Sequence, residues 1–208
     1  MGADTAASLS GNSGSDSFAF VGTGSTSGGI DGGADTDLLD YSGAGIAATV
    51  NLNNSTATGV GTSFTSIESM LGNGAGSQLL GNVAGSNWTI GTDISDSNVD
   101  GFAFDDVAIL IGGTGDDTFN VIADNTDILT INGGTGSDDF SLQADTIAAL
   151  NGGGGTDAFA FVGTGSTSAG INGGAGTDVI DYSGAVGAVV VNLNNATATG
   201  IDSGFTQI

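Results

Sequence analysis

Aspartate is the side chain that could do chemistry in this sequence, and it returns on a fixed glycine frame. Six times the chain places an apolar residue two positions ahead of a frame of the form Gly-Gly-x-Gly-x-Asp-x-apolar, exact in four copies, with Asn12 for the second glycine in the Asp16 copy and Asp35 for the third in the Asp37 copy. Its cleanest copy is Ile111-Gly112-Gly113-Thr114-Gly115-Asp116-Asp117-Thr118-Phe119, and the others are centred on Asp16, Asp37, Asp138, Asp157 and Asp178. The first glycines stand at positions 11, 32, 112, 133, 152 and 173, an almost even rhythm broken by one long gap between Gly32 and Gly112. The chain has 23 acidic residues and no Lys, Arg or His, a net charge of -23. Carboxylates repeated on one frame with no basic partner point to cation binding. Two unit charges ~5 Å apart repel by about 3 kcal/mol at an effective dielectric near 20, and a cation would remove that cost.

The donor set narrows the cation. Without His or Cys, the usual zinc and copper sites cannot be built. Glycines let backbone carbonyls converge, and calcium takes six to eight oxygens from carbonyls and carboxylates together, whereas magnesium holds its water and demands a tighter octahedron. The expected ligand for the cofactor Ca2+ is therefore the motif aspartate of each copy, Asp16, Asp37, Asp117, Asp138, Asp157 and Asp178, with the turn backbone at Gly32, Gly112, Gly133, Gly152 and Gly173. Asp could instead serve only as an exposed turn residue beside glycine; Ser or Asn would do that without the charge.

Other functions fail on composition. No base is available for a serine or cysteine triad, and acids that follow the repeat do not look like a glycosidase pair, so no enzyme is expected. Nothing can neutralise phosphate, so nucleic acid is not an expected partner. No apolar run is long enough to cross a bilayer as a helix, so direct membrane insertion is not expected.

The frame that must hold these aspartates reads as all-β. Phe119-Asn120-Val121 and Phe159-Ala160-Phe161 alternate as short strands, Asn-Gly-Gly and Asp-Gly-Gly supply turns, and no helical period appears. A repeat of roughly 20 residues predicts a parallel β-solenoid of about ten coils, four of them inside the gap, running as one continuous body over 1–208. Leu9, Ile30, Leu110, Ile131, Leu150 and Ile171 form one predicted inward column, and Phe18, Leu39, Phe119, Phe140, Phe159 and Ile180 a second. A longer repeat overlies the first: 3–67 aligns with 144–208 at an offset of 141, with 43 of 65 positions identical. Both ends fall inside that unit, which predicts a segment of a longer tandem array.

The nonapeptide resembles the hemolysin-type RTX repeat, a calcium-binding parallel β-roll. The stretch Asp181-Tyr182-Ser183-Gly184 through Val191-Asn192-Leu193 to Thr197-Ala198-Thr199-Gly200 is similar to segments that link RTX blocks. Asn87-Trp88-Thr89-Ile90 followed by Phe102-Ala103-Phe104 resembles modules of giant secreted bacterial adhesins. The resemblance implies an extracellular or cell-surface structural segment, an adhesin shaft or filament subunit stabilised by calcium. Two departures stand out. The motif comes once per coil rather than twice, and Gly72-Asn73-Gly74-Ala75-Gly76 carries Ser77 and Gln78 where the aspartate belongs, which puts occupancy over 41–110 in doubt. Uncapped ends of near-identical sequence predict end-to-end self-association into filaments. The alternative is a surface- or glycan-binding module presenting Thr23, Ser25 and Ser27 with Thr164, Ser166 and Ser168.

Overall fold

Apolar residues of successive repeats face each other across parallel strand pairs, and these pairs organise the molecule. The computed structural model describes every residue except Ala75 and Ile94. Its described elements are all strands and turns, without a helix. They form two compact units, Met1–Leu80 with Asp93–Ala108, and Gly81–Thr92 with Ile109–Ile208.

In the second unit, one parallel sheet runs in the order Asn87–Ile90, Thr118–Val121, Asp139–Leu142, Ala158–Gly163, Val179–Ala185. Its register stacks Trp88, Phe119, Phe140, Phe159 and Ile180 on one another. A second parallel sheet orders Ile109–Gly113, Thr130–Thr135, Ala149–Gly155, Ile171–Gly176 and Phe205–Thr206, stacking Leu110, Ile131, Leu150, Ile171 and Phe205. A narrow third ladder joins Asn125 to Thr146, and Thr146 to Thr167. Thr118 pairs with Asp139, Asp139 with Ala158 and Ala158 with Val179, each step matching the spacing of the glycine frame.

Strand spacing of ~4.8 Å brings like rings into contact. Trp88 stacks on Phe119 at 5.4 Å between centroids, Phe119 on Phe140 at 5.0 Å, and Phe140 on Phe159 at 4.7 Å. All four side chains are buried. Phe140 touches a ring on each side, so Phe140→Ala removes two stacks and leaves a cavity. The expected cost is about 3–5 kcal/mol, read from the shift in the urea unfolding midpoint.

The first unit begins the same way. Leu9–Ser13, Ile30–Ala34 and Phe64–Thr65 form one parallel set. Ser17–Gly22, Leu38–Ala44, Ser69–Leu71 and Phe102–Asp105 form another. Of the two predicted columns, Leu9, Phe18 and Ile180 are only half-buried, and the other members are buried.

Inside the gap the expectation of four coils on the same short period is corrected. Partners there lie much farther apart in sequence: Ile30 pairs with Phe64, Leu39 with Met70, and Met70 with Phe104. Antiparallel hairpins take up the extra length. Thr49–Asn51 folds back on Thr56–Ala57 through a turn in which Ser55 has φ 52°. Val99 pairs with Phe102 across Asp100-Gly101, both at positive φ. That is the conformation an Asp-Gly two-residue turn favours.

The longer repeat is also structural. Tyr41 stacks on Phe20 at 4.4 Å and gives its hydroxyl proton to the Thr58 carbonyl at 2.7 Å. Tyr182 stacks on Phe161 at 4.9 Å and donates to the Thr199 carbonyl at 2.7 Å.

Candidate metal centre

Glycine sets the position of every motif aspartate. A Cβ placed on Gly11, Gly32, Gly112, Gly133, Gly152 or Gly173 would collide with the Oδ2 of the aspartate that closes the same motif, namely Asp16, Asp37, Asp117, Asp138, Asp157 or Asp178. The carboxylate therefore folds inward over a bare Cα. The second glycine serves the stacking of repeats. Gly134, Gly153 and Gly174 have φ of 113°, 107° and 101°, and a Cβ on each would strike the carbonyl oxygen of the matching glycine one repeat earlier.

Turned inward, the carboxylates form a hydrogen-bonded column. The Asp117 amide donates to Asp138 Oδ1 at 2.8 Å, the Asp138 amide to Asp157 Oδ1 at 3.0 Å, and the Asp157 amide to Asp178 Oδ1 at 2.9 Å. The Ser86 amide extends the column at its start, donating to Asp117 Oδ1 at 2.6 Å. In the first unit the Asp16 amide donates to Asp37 Oδ1 at 2.7 Å, and the Asp37 amide to Glu68 Oε2 at 3.0 Å. The chain's single glutamate thus stands in for the next aspartate, reaching the same amide with a longer side chain.

Burial makes this column electrostatically costly. Asp37, Asp117, Asp138 and Asp157 are no more than 1% exposed and Asp178 is 8% exposed, while Asp16 is half-buried. The Oδ2 atoms of Asp16, Asp37, Asp138 and Asp157 are buried and accept no hydrogen bond. Loss of hydration raises the Asp138 pKa to about 6, helped by the charges of Asp117, Asp157 and Asp116 and opposed by the Asp117 amide. Asp157 is also raised, first by burial and then by Asp178 and Asp139, against the Asp138 amide. A buried carboxylate that keeps its charge needs compensation, and the sequence offers no basic side chain.

The donor chemistry suits a hard cation. The carbonyl oxygens of Gly133, Gly152 and Gly173 stand 2.5, 2.7 and 2.5 Å from where a Cβ on Gly112, Gly133 and Gly152 would sit, beside the Oδ2 atoms of Asp117, Asp138 and Asp157. Carboxylate and carbonyl oxygens thus meet at each first glycine, the ligand types calcium prefers. The acids themselves are strung along a column: among the described residues, no three converge on one point. Any site here would take one motif carboxylate with backbone carbonyls.

Apart from Ser77, which the sequence already places at the aspartate position, several partners were not foreseen from residue types. Ser77 and Ser86 occupy the aspartate position inside the gap: Ser77 Oγ accepts from the Asn73 amide at 3.3 Å, and Ser86 Oγ from the Asn82 amide at 2.9 Å. Gly81-Asn82-Val83-Ala84-Gly85-Ser86 is consequently a further copy of the frame, detectable because its Gly-to-Ser spacing equals the Gly-to-Asp spacing elsewhere. A second, exposed set of acids also bridges repeats, with Asp116 Oδ1 accepting from the Ser137 amide at 2.7 Å and Asp35 Oδ2 from the Gly14 amide at 3.1 Å. In the hydroxyl array, Thr23, Ser27, Thr164 and Ser168 stand at the surface, whereas Ser25 and Ser166 are half-buried and bond to Asp4 and Asp145. No family model, no curated protein and no solved structure matches this chain.

Proposed function

We propose that the chain is a structural, calcium-stabilised β-solenoid segment of a large extracellular bacterial surface protein, an adhesin shaft or filament subunit of the RTX type. The observation that supports this reading best is the column of buried motif aspartates in a chain with no basic side chain. Asp16, Asp37, Asp117, Asp138, Asp157 and Asp178 would hold Ca2+ together with carbonyls of the glycine frame, and the ion would supply the missing positive charge. The mechanism is folding coupled to cation binding. Where calcium is scarce, self-repulsion of the -23 charge keeps the chain extended and open to export. Outside the cell, the cation neutralises the column and the stacked repeats set.

Titrating EDTA-treated protein with calcium, followed by circular dichroism, tests this. A saturable gain in β signal and a rise in melting temperature are expected. A metal-free protein that is already fully folded and equally heat-stable would overturn the proposal.

A further inference from the structure

One groove in this acidic chain is lined without a charged side chain. It lies in the second unit, along Ala149–Gly155, Ile171–Gly176 and Phe205–Thr206, holds about 430 Å³, and presents Asn151, Asn172, Asn195, Ser203 and Thr206. The strands explain its shape. Just before Ile131, Leu150, Ile171 and Phe205, which stack on one another, stand Thr130, Ala149, Gly170 and Gly204, so the side chains of that column shrink to nothing. Just after the same four residues runs a polar column, Asn132, Asn151, Asn172 and Thr206. The Phe205 amide donates to the Ala196 carbonyl at 3.0 Å, which holds the loop between Val191–Asn192 and Thr197–Ala198 as a wall.

The side-chain amides of that column do not bond continuously from strand to strand. Asn151 Nδ2 donates back to Asn132 Oδ1 at 2.9 Å, while Asn172 Oδ1 accepts from Thr206 Oγ1 at 3.2 Å. The ladder is thus broken between Asn151 and Asn172, at the groove. An acceptor, Asn151 Oδ1, and a donor, Asn172 Nδ2, are left there without a partner among the described residues. One hydroxyl group can satisfy both, since it accepts and donates. In the first unit the corresponding residues Ser8, Asp31, Thr62, Ser63 and Thr65, with 66–80 in place after them, line a groove of only about 220 Å³. Thr65 Oγ1 there donates to Asp31 Oδ1 at 3.0 Å, the same bond on a charged partner. Ser8, Thr62 and Ser63 are each larger than Ala149, Ser203 and Gly204, which narrows that copy. The groove therefore belongs to the longer repeat, and the second unit carries its wide and neutral form.

We propose that the groove at Asn151 and Asn172 is a binding site for a neutral oligosaccharide. A chain of net charge -23 repels anions, and an uncharged lining gives a cation nothing to pair with. A sugar offers what remains: hydroxyls for the open amide pair, for Asn195 and for Ser203, and a C–H face for the floor of Gly170, Ile171 and Phe205. The volume lies within the range of ligand pockets, which begins at roughly 300 Å³. A glycan laid along the polar column would meet a further amide at Asn132, one strand beyond Asn151 and ~4.8 Å away. This site goes beyond the structural role proposed above and does not depend on calcium. It is also separate from the hydroxyl array at Thr164, Ser166 and Ser168.

Calorimetric titration of the full chain with cellohexaose, maltohexaose and chitohexaose, in calcium and again in EDTA, tests it. Saturable one-to-one binding of at least one of these sugars is expected. An Asn151→Ala, Asn172→Ala double variant removes the open amide pair and should weaken that binding about tenfold or more, with its circular dichroism unchanged. Ala149→Leu, which fills the groove and leaves both amides in place, should weaken it as well. A Thr164→Ala, Ser168→Ala variant on the hydroxyl array should bind like the parent. Absence of saturable binding to all of the sugars, undiminished binding to the groove variants, or a loss confined to the hydroxyl-array variant would overturn the proposal. Sugar binding by a chain that folds equally well in EDTA would refute the calcium reading and leave this one standing; calcium-driven folding without sugar binding would do the reverse.

Discussion

Gly153→Ala is expected to unfold the repeats around it, while Gly154→Ala next door leaves the protein as stable as before or slightly more so. Gly153 has φ 107°, and an added Cβ would collide with the Gly134 carbonyl oxygen, with Gly134 C at 3.0 Å and N at 3.2 Å. Neither the backbone angle nor the stacked strand can yield without breaking the register on both sides. The combined strain and clash should cost about 4 kcal/mol or more. At Gly154 the nearest atom to a new Cβ is Thr135 Cγ2 at 3.8 Å. Its register partners are Thr135 and Ala175, which already carry side chains. Losing glycine's freedom in the unfolded chain should add roughly 0.5 kcal/mol. Urea unfolding of both variants reads the contrast, and equal midpoints would show that the glycine column does not set the stacking.

The second large effect is at Asp138. Asp138→Ala removes the acceptor of the buried Asp117 amide and should cost about 1–3 kcal/mol. Asp138→Asn keeps an acceptor for that amide and puts a donor in place of Oδ2, beside the Gly152 carbonyl. In EDTA the Asn variant should therefore melt higher than the parent at pH 7.5, and gain less from calcium. The same carboxyl sets a pH dependence. Its folded pKa of about 6 lies above the ordinary value of 3.8, so folding takes up protons between those values. That contribution to stability is fully present below about pH 4 and is lost as pH rises through 6. The metal-free protein should melt higher at pH 4.5 than at pH 7.5, and calcium, which on the proposed function would compete with protons for the carboxylates, should shrink or reverse the difference. Asp138→Asn should flatten the EDTA profile. A parent profile already flat in EDTA would mean that the column keeps its charge at no cost.

Much of the β architecture was legible in the sequence, because spacing alone encodes it. The near-constant interval of the glycine frame fixes the register of Phe119, Phe140 and Phe159, and any in-register parallel arrangement then stacks like on like. The gap was less legible. Its partners, such as Leu39 with Met70 and Met70 with Phe104, are set farther apart because hairpins interrupt the repeat. One of them, at Asp100-Gly101, carries an explicit turn signal that the search for a single short period obscured. The candidate site was legible in residue type but not in direction. The aspartates were read as neighbours repelling one another across turns, whereas each carboxylate bends over a bare glycine and accepts the next backbone amide. That geometry depends on an atom the glycine lacks, and on a strand one repeat away. The role of Glu68 was hidden for the same reason, since the glutamate is far along the chain from Asp37, whose amide it caps.

Every hydrogen bond of the aspartate column points the same way along the chain: an amide gives, and the carboxylate one repeat later receives. The column therefore has a polarity that the strands alone do not possess, and that polarity sets an order of closure. A chain delivered with its N-terminus first exposes each amide of the column before its carboxylate acceptor exists, so that bond closes only when the following repeat arrives. Delivered in the opposite sense, each new turn would find its acceptor waiting and lock on arrival. The two directions of emergence, through a ribosome or through a pore, are thus not equivalent for this sequence, although its composition and strand order read much the same from either end.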